Sequence, residues 1–473
     1  MLRRPRHSGP DKVALLALGA GSLAAYVGYT GVASFAVPVY QMTLGVDPIL
    51  LGAALALPRL WEAVADPVMG NLSDNLRSRW GRRRPLIVAG AVGMGLAYGL
   101  IWMVSSGWSA AAKLGYFTAM SVAYFTAYTV FSVPYASLTY EVAPEHHERT
   151  RVMGYCSVFH KLGECGYQWI FPLSQLAWFG AGLAGVRIVG WIVGIIVLAG
   201  AGILPALLVR ERFADMPAHQ PRVPLWGSIR AALGRRAFVI VGALALVNIG
   251  MGMLASNLDY YVLVYYVAHG NVATGAFWKG ALSSGYALVG IAAIPAIVAG
   301  AARFGKRATL AAAYILTAVG GGLKWFWFNP AHPWLVLLDP VLCGPIWVAA
   351  NVLLASMLAD ICDEDELVSG QRREGMFGAV FSWIQKTAVS ASLLGAGITL
   401  ALAGFDQKLG GAQSAATFLR LRGFLAASTA LPPLLALLIL RGYRLDAGHA
   451  AATRRALEAR RPPAGDPAPA GSG

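Results

Sequence analysis

The chain has 473 residues and a formal net charge of +15, yet only 13% of its residues are charged and 57% are hydrophobic, with a mean hydropathy of +0.58. Soluble domains carry roughly 25% charged residues. A water-soluble fold of this length could not hide so much apolar surface, so an all-α polytopic membrane protein is expected.

The first run, from Val13 to Met42, is uncharged. Arg3, Arg4 and Arg6 ahead of it also fit a cleaved export signal. The run exceeds a signal core and many further spans follow, so a first transmembrane helix is the better reading. Pro85 to Ala112, Ile188 to Val209 and Gly280 to Ala302 are equally free of charge, and each reaches the ~20 residues that cross a bilayer. They must be helices, because backbone groups in lipid need internal partners. Apolar runs and their Gly, Pro and charge breaks predict about twelve spans, starting near Val13, Pro48, Pro85, Lys113, Val152, Arg187, Ala237, Thr274, Ala308, His332, Glu374 and Arg422.

The longest interior polar stretch covers residues 210–236 and separates two sets of six spans. The expected layout is a cytoplasmic N-terminus (1–12), a first six-helix bundle (13–209), a cytoplasmic linker (210–236), a second bundle (237–441) and a disordered cytoplasmic tail (442–473). Lys and Arg fix the orientation: 28 fall on the termini and even-numbered loops, against 6 flanking charges on the other side, Lys113, Arg187, Lys279, Lys408, Arg420 and Arg422. Positive loops face the cytoplasm, which places both termini there and the chain in the cell (inner) membrane. The net charge thus reads as topology, and nucleic acid is not an expected partner.

The halves resemble each other. Gly70, Asp74 and Arg82–Arg84 follow the second span, and Gly300, Arg303 and Lys306 follow the eighth. Glu141, Arg149, Arg151 and Lys161 after the fourth span have counterparts in Asp360, Arg372, Arg373 and Lys386, offset by 219 to 225 residues. Such repeats around a midplane site are the architecture of secondary transporters.

Ionisable groups inside a span cost about 2.5–3.5 kcal/mol each on insertion scales and mark function. Helix 2 carries Arg59, Glu62 and Asp66, helix 5 Lys161 and Glu164, helix 7 Asp259 and helix 11 Lys386; helices 3, 6, 8 and 12 are read as carrying none. Glu62 and Asp66, four residues apart, share a helical face with Arg59 one turn earlier. Two carboxylates that close need a positive partner. A sodium ion, a shared proton, or a structural salt bridge to Arg59 or Lys386 would each serve. For a solute, polar and aromatic walls are available in Tyr26, Tyr29, Tyr128, His160, Lys161, Glu164, Asn257, Asp259 and Trp347. Gly70, Asp74, Arg82, Arg149, Asp360, Arg372 and Arg373, with Arg59, read as gating residues. Gly70 is expected to allow close backbone approach. Cys156, Cys165, Cys343 and Cys362 lack metal or disulfide spacing, so no structural metal is expected. No nucleophile–base arrangement or phosphate loop supports an enzyme, no cofactor is expected, and a sensor would need a larger soluble output domain.

Three strings carry a family resemblance: RLWEAVADPVMGNLSDNLRSRWGRRRP (Arg59 to Pro85), VPYASL with HERTRV (Val133 to Leu138, His147 to Val152), and MLADICDEDELVSGQRREGMFGAVFSWIQK (Met357 to Lys386). Together they resemble the glycoside-pentoside-hexuronide:cation symporters of the major facilitator superfamily. The resemblance implies a cation site at Glu62, Asp66, Thr129 and Lys386, coupling by Na+ or H+, and a sugar or glycoside as solute. It also implies two six-helix bundles that alternate access. Two sugar-binding acids of the family pattern fall on Tyr26 and Ser132 here, and its helix 5 arginine falls near Ser157, so galactoside specificity does not carry over. Animal relatives carry a lysolipid, which keeps a non-sugar amphiphile open as the solute.

Overall fold

The computed structural model describes residues 11–76, 78–142, 146–180, 182–209, 230, 232–369, 374–443, 448, 452, 453 and 455–457. Among them are twelve long helices and no strand. In chain order these are α1 (Lys12–Thr43), α2 (Pro48–Asn75), α3 (Arg84–Ile101), α4 (Ala110–Glu141), α5 (His146–Gly166), α6 (Gly182–Leu208), α7 (Arg236–Val267), α8 (Val272–Phe304), α9 (Lys306–Trp327), α10 (Pro333–Ser369), α11 (Glu374–Ala403) and α12 (Ala415–Arg441). A tight turn carries α5 on into a short helix, Ile170–Ser174.

Nine of these helices are long and apolar enough to cross a membrane. The other three, α4, α5 and α9, are as long as a span but more polar: α5 opens on His146, Glu148 and Arg151 and later carries Lys161 and Glu164, while α9 opens on Lys306 and Arg307. Ile195 and Ile196 on α6 and Leu431, Leu435 and Leu438 on α12 are exposed. Apolar faces of that extent belong against lipid.

Local chemistry sets the helix starts. Asp11, Asp47, Ser109, Asn271 and Ser414 each accept a bond from a first-turn backbone N–H, as N-caps do. The cap at Ser414 explains why α12 begins seven residues before the Arg422 expected from sequence. Arg422 is not a boundary at all, because its guanidinium lies 4.3 Å from the Trp325 ring and 4.7 Å from the Tyr266 ring and donates to the Trp325 carbonyl at 2.5 Å. Another correction concerns α8. Lys279, counted as a flanking charge, sits within this helix and is 4% exposed.

The helices form two bundles, α1–α6 and α7–α12, built alike. In the first, Arg84 at the start of α3 donates to the Leu207 carbonyl at the end of α6, and Arg187 of α6 donates to the Val104 carbonyl just past α3. In the second, Arg307 at the start of α9 donates to the Arg441 carbonyl at the end of α12, while Arg422 holds Trp325. Both α1 and α7 widen to π-helical turns, at Val37–Thr43 and Val262–Val267. Close packing inside the bundles uses glycine: a methyl on Gly95 of α3 would lie 2.5 Å from the Gly194 carbonyl oxygen of α6, and one on Gly321 of α9 would lie 2.5 Å from the Ala430 nitrogen of α12.

The bundles meet along α2 with α11 and α5 with α8. A methyl on Gly52 would lie 2.7 Å from the Leu393 carbonyl oxygen, and one on Gly397 would lie 2.7 Å from that of Pro48. The same end is tied by polar bonds, with the Tyr261 hydroxyl donating to Gln41 Oε1 and Gln407 Nε2 donating to the Gln41 carbonyl. Between α5 and α8, Trp169 donates its indole N–H to Ser284 Oγ at 2.9 Å.

Candidate functional site

Helix α2 runs from its Asp47 cap through Pro58 and Pro67, and it places Arg59, Glu62 and Asp66 on the side facing α4 and α11. Arg59 is 4% exposed and Glu62 3% exposed. The Arg59 guanidinium donates to Glu62 Oε2 at 3.1 Å and to the Tyr29 carbonyl. It is held between two rings, 3.9 Å from the Tyr29 centroid and 4.2 Å from the Phe125 centroid. Desolvated cation–π contacts on two faces together with a carboxylate fix this arginine firmly.

The other face of the two acids is met from the second bundle. Lys386 of α11 donates to Glu62 Oε1 at 3.0 Å and to Asp66 Oδ2. Asp66 Oδ1 accepts from Thr129 Oγ1 of α4 at 3.2 Å. Glu62, Asp66, Thr129 and Lys386 therefore come together at one point on the bundle interface, and with Arg59 included two positive charges balance two negative ones. The exposure is uneven: the Asp66 side chain is 30% exposed and that of Lys386 17%, against 3% for Glu62. Arg59 is thus a fixed counter-charge for Glu62, whereas Lys386 sits on the accessible side, where a diffusing cation could take its place between oxygen ligands.

The ten candidate solute residues take up several neighbourhoods. Tyr29 and Tyr128 belong to the surroundings of Arg59, their ring centroids 6.3 Å apart. Tyr26 of α1 packs on His160, at 4.3 Å, and on Tyr167, at 5.7 Å. Lys161 donates to Glu164 at 2.6 Å within α5, and its ammonium lies 3.7 Å from where a side chain would start at Gly290 of α8, so it stands at the bundle interface. Asn257 lines a crevice with Gln41, Gly52 and Leu393. Trp347 of α10 fills the space beside Gly252 of α7. Ser132 is half-buried on α4. Asp259 lies apart, in a buried ion cluster inside the second bundle.

Of the gating candidates, Arg82 and Arg83 both pair with Glu141 at 2.9 Å, and Lys306 pairs with Asp360. The two halves thus repeat one device, in which cations just before α3 or at the start of α9 hold the acid ending α4 or lying in α10. Gly70 has nothing within 4 Å of a built side chain, so the close backbone approach expected there is absent from this arrangement. The side chains of Asp74 and Arg149 and all of Arg372 and Arg373 lie outside the described residues.

Lys279, Lys324, Asp339 and Tyr286, none of them a site candidate from the sequence, form the remainder of the Asp259 cluster. Lys324 and Asp339 interrupt apolar runs, GGGLKWFW and WLVLLDP. A lone charge inside such a run is the signal that identifies them.

Two structurally repeated six-helix bundles, with paired charges bridging them at mid-helix, define a membrane transporter of the major facilitator type rather than an enzyme. The family model described as "MFS/sugar transport protein" matches residues 17–447, and the chain belongs to that family. It is similar to an "Uncharacterized symporter sll1374" of Synechocystis, 24% identical over 456 residues covering 78% of this chain and 81% of the relative. It is also 24% identical to the "Glucuronide carrier protein homolog" of Escherichia coli over 361 residues, covering 75% and 76%. Among solved structures, a bacterial homolog of the lysosomal transporter Spinster, in an inward-facing and unoccupied conformation, shares the fold with a TM-score of 0.65 at 15% identity, over 96% of this chain and 100% of that one. The protein is accordingly a multi-pass membrane symporter of the major facilitator type.

Proposed function

We propose that this symporter couples uptake of a sugar or glycoside to Na+ or H+ by alternating access, with the coupling cation held by Glu62, Asp66 and Thr129 and opposed by Lys386. The observation that carries the reading is the placement of Lys386. Its ammonium reaches across the bundle interface to occupy the space between two carboxylates. An incoming cation that displaces it changes what joins α2 to α11, so ion binding and bundle movement are linked, and linkage makes the effects of ion and solute on each other reciprocal.

An acidic glycoside suits the interface best, because Lys161 places an ammonium there that a solute carboxylate could take from Glu164. The glucuronide carrier homolog among the relatives supports the same class. With both termini and the 210–236 linker cytoplasmic, the end closed by Gln41, Tyr261 and Gln407 faces outward and the site is reached from inside.

The test is thermal stability of the purified protein against glucuronides, neutral glycosides and lysophosphatidylcholine, with and without Na+ and across pH. Stabilisation by a glucuronide that rises with the ion and disappears in Glu62→Gln and Asp66→Asn is expected. Undiminished ion stimulation in both variants would remove the cation site. Stabilisation by the lysolipid alone would replace the solute.

A further inference from the structure

The chain buries a second set of charges wholly inside the C-terminal bundle. Asp259 on α7, Lys279 on α8, Lys324 on α9 and Asp339 on α10 are 3%, 4%, 2% and 0% exposed. Lys324 Nζ stands 2.9 Å from Asp259 Oδ1 and 2.9 Å from Asp339 Oδ2, and the Tyr286 hydroxyl donates to Asp339 Oδ2 at 2.7 Å. Lys324 bridges both acids and neutralises one of them. The second positive charge comes from Lys279, which makes no such bridge. Its ammonium donates to the Ser256 carbonyl at 2.7 Å and to Ser256 Oγ at 3.0 Å, and lies 3.7 Å from Asp259 Oδ2.

A carbonyl, a hydroxyl and a carboxylate oxygen around one positive centre are the donor types that hold a hard cation. The cluster's place in the repeat matters too. α8 and α10 are the counterparts of α2 and α4, the helices that carry Glu62, Asp66 and Thr129. In the first bundle Arg59 meets Glu62 from within, but the positive group that bridges both acids arrives from the opposite bundle, on a side chain 17% exposed. In the second it comes from the bundle itself, on a side chain 5% exposed.

We propose that the C-terminal bundle holds an internal, non-exchangeable cation site, in which the Lys279 ammonium is the tethered cation for Ser256 and Asp259. It fixes the turn of α7 that presents the neighbouring Asn257 to the crevice shared with Gln41, Gly52 and Leu393. The parallel with α2 rests on reading α2 as a cation site. The oxygen cage around Lys279 does not, and its test needs neither a solute nor an ion at α2.

Lys279→Ala removes a three-carbon chain and its ammonium, the atoms that n-propylammonium restores. In the purified full-length variant, the melting temperature is expected to fall below that of the wild type and to recover saturably with n-propylammonium. Tetramethylammonium, with the same charge and no N–H donors, should give no recovery. Nor should the wild type or Lys279→Ala/Asp259→Asn respond to the amine. Absence of recovery, equal recovery with tetramethylammonium or n-propanol, or an amine response that persists with Asp259→Asn would each overturn the proposal. If Lys279→Ala does not accumulate as folded protein, extraction with n-propylammonium present decides: a monodisperse species obtained only with the amine supports the tethered cation, and none obtained with it counts against.

Discussion

Lys386→Ala separates a competitor from a mere strut. The substitution removes the bonds to Glu62 Oε1 at 3.0 Å and to Asp66 Oδ2, but leaves Glu62 on Arg59 at 3.1 Å and Asp66 on Thr129 at 3.2 Å. Breaking a buried ion pair costs about 3–5 kcal/mol when the remaining charge is stranded. Here neither acid is stranded and the Asp66 side chain is 30% exposed, so a loss of about 1–2 kcal/mol in the ion-free protein is the fitting scale. If Lys386 occupies the cation's place, that same energy is no longer spent displacing it. Apparent cation affinity should then rise about 5- to 30-fold, at about 1.4 kcal/mol per decade, although transport suffers because the α2–α11 link is gone. The assay is the melting temperature of the variant against NaCl at constant ionic strength, with a parallel pH series to detect a proton in place of sodium. Ion dependence equal to or weaker than wild type in both series would refute competition and leave Lys386 as a strut between helices.

Three further outcomes follow from the geometry. Single cysteines introduced near either terminus or in 210–236 should be inaccessible to a membrane-impermeant maleimide added outside intact cells, and labelling from outside would invert the topology. Gly52→Val has no room beside the Leu393 carbonyl, so it should push α2 from α11 at the closed end and speed labelling of Asn257→Cys from that side; unchanged labelling would mean that end does not open. Arg187→Ala and Arg422→Ala each lose a charged donor to a backbone carbonyl, and each should cost about 1–2 kcal/mol of stability, read as comparable drops in melting temperature.

The twelve helices were legible because a bilayer imposes both a length and a lack of charge, and most starts fall within three residues of the sequence reading. The late starts read for α6 and α12 have one cause: Arg187 and Arg422, like Lys279, read as flanking charges, although each folds back onto a carbonyl, a ring or a carboxylate and lies inside a helix. The start of α5, six residues before Val152, is hidden because its first turns are polar. Spacing put Glu62 and Asp66 on one face of α2. It could not show that Lys386, more than 300 residues away, would reach them: a salt bridge to it is one of three readings the residues leave open, and Thr129 enters only through the family resemblance. The scattering of Tyr26, Lys161, Asn257, Asp259 and Trp347 was equally out of reach, because a helix's polar face is set by its neighbours in space. Asp259 illustrates this. Alone in α7 it reads as a solute ligand, and only Lys279 and Lys324 on adjacent helices reveal a closed cluster.

The two bundles resemble each other in their arginine pins, π-helical turns and loop acids, and differ in where they keep charge. The buried Asp259, Lys279, Lys324 and Asp339 of the second bundle satisfy one another internally, whereas its Lys386 is paired, among the described residues, only by the acids of α2. Helix α2 is dependent in turn. Arg59 balances Glu62 from within, but the partner of Asp66 comes from α11. A charge left incomplete in one half and completed by the other is neutral only while the halves stay in register, and each separation of α2 from α11 must provide Asp66 with a substitute. In the proposed cycle a small cation would be that substitute, letting the bundles move without leaving a bare carboxylate in low dielectric. On the proposed function, this asymmetry between the repeats would couple ion to movement. A variant that supplies Asp66 with its own permanent cation on α2 or α4 should therefore transport without the ion, and down a solute gradient only.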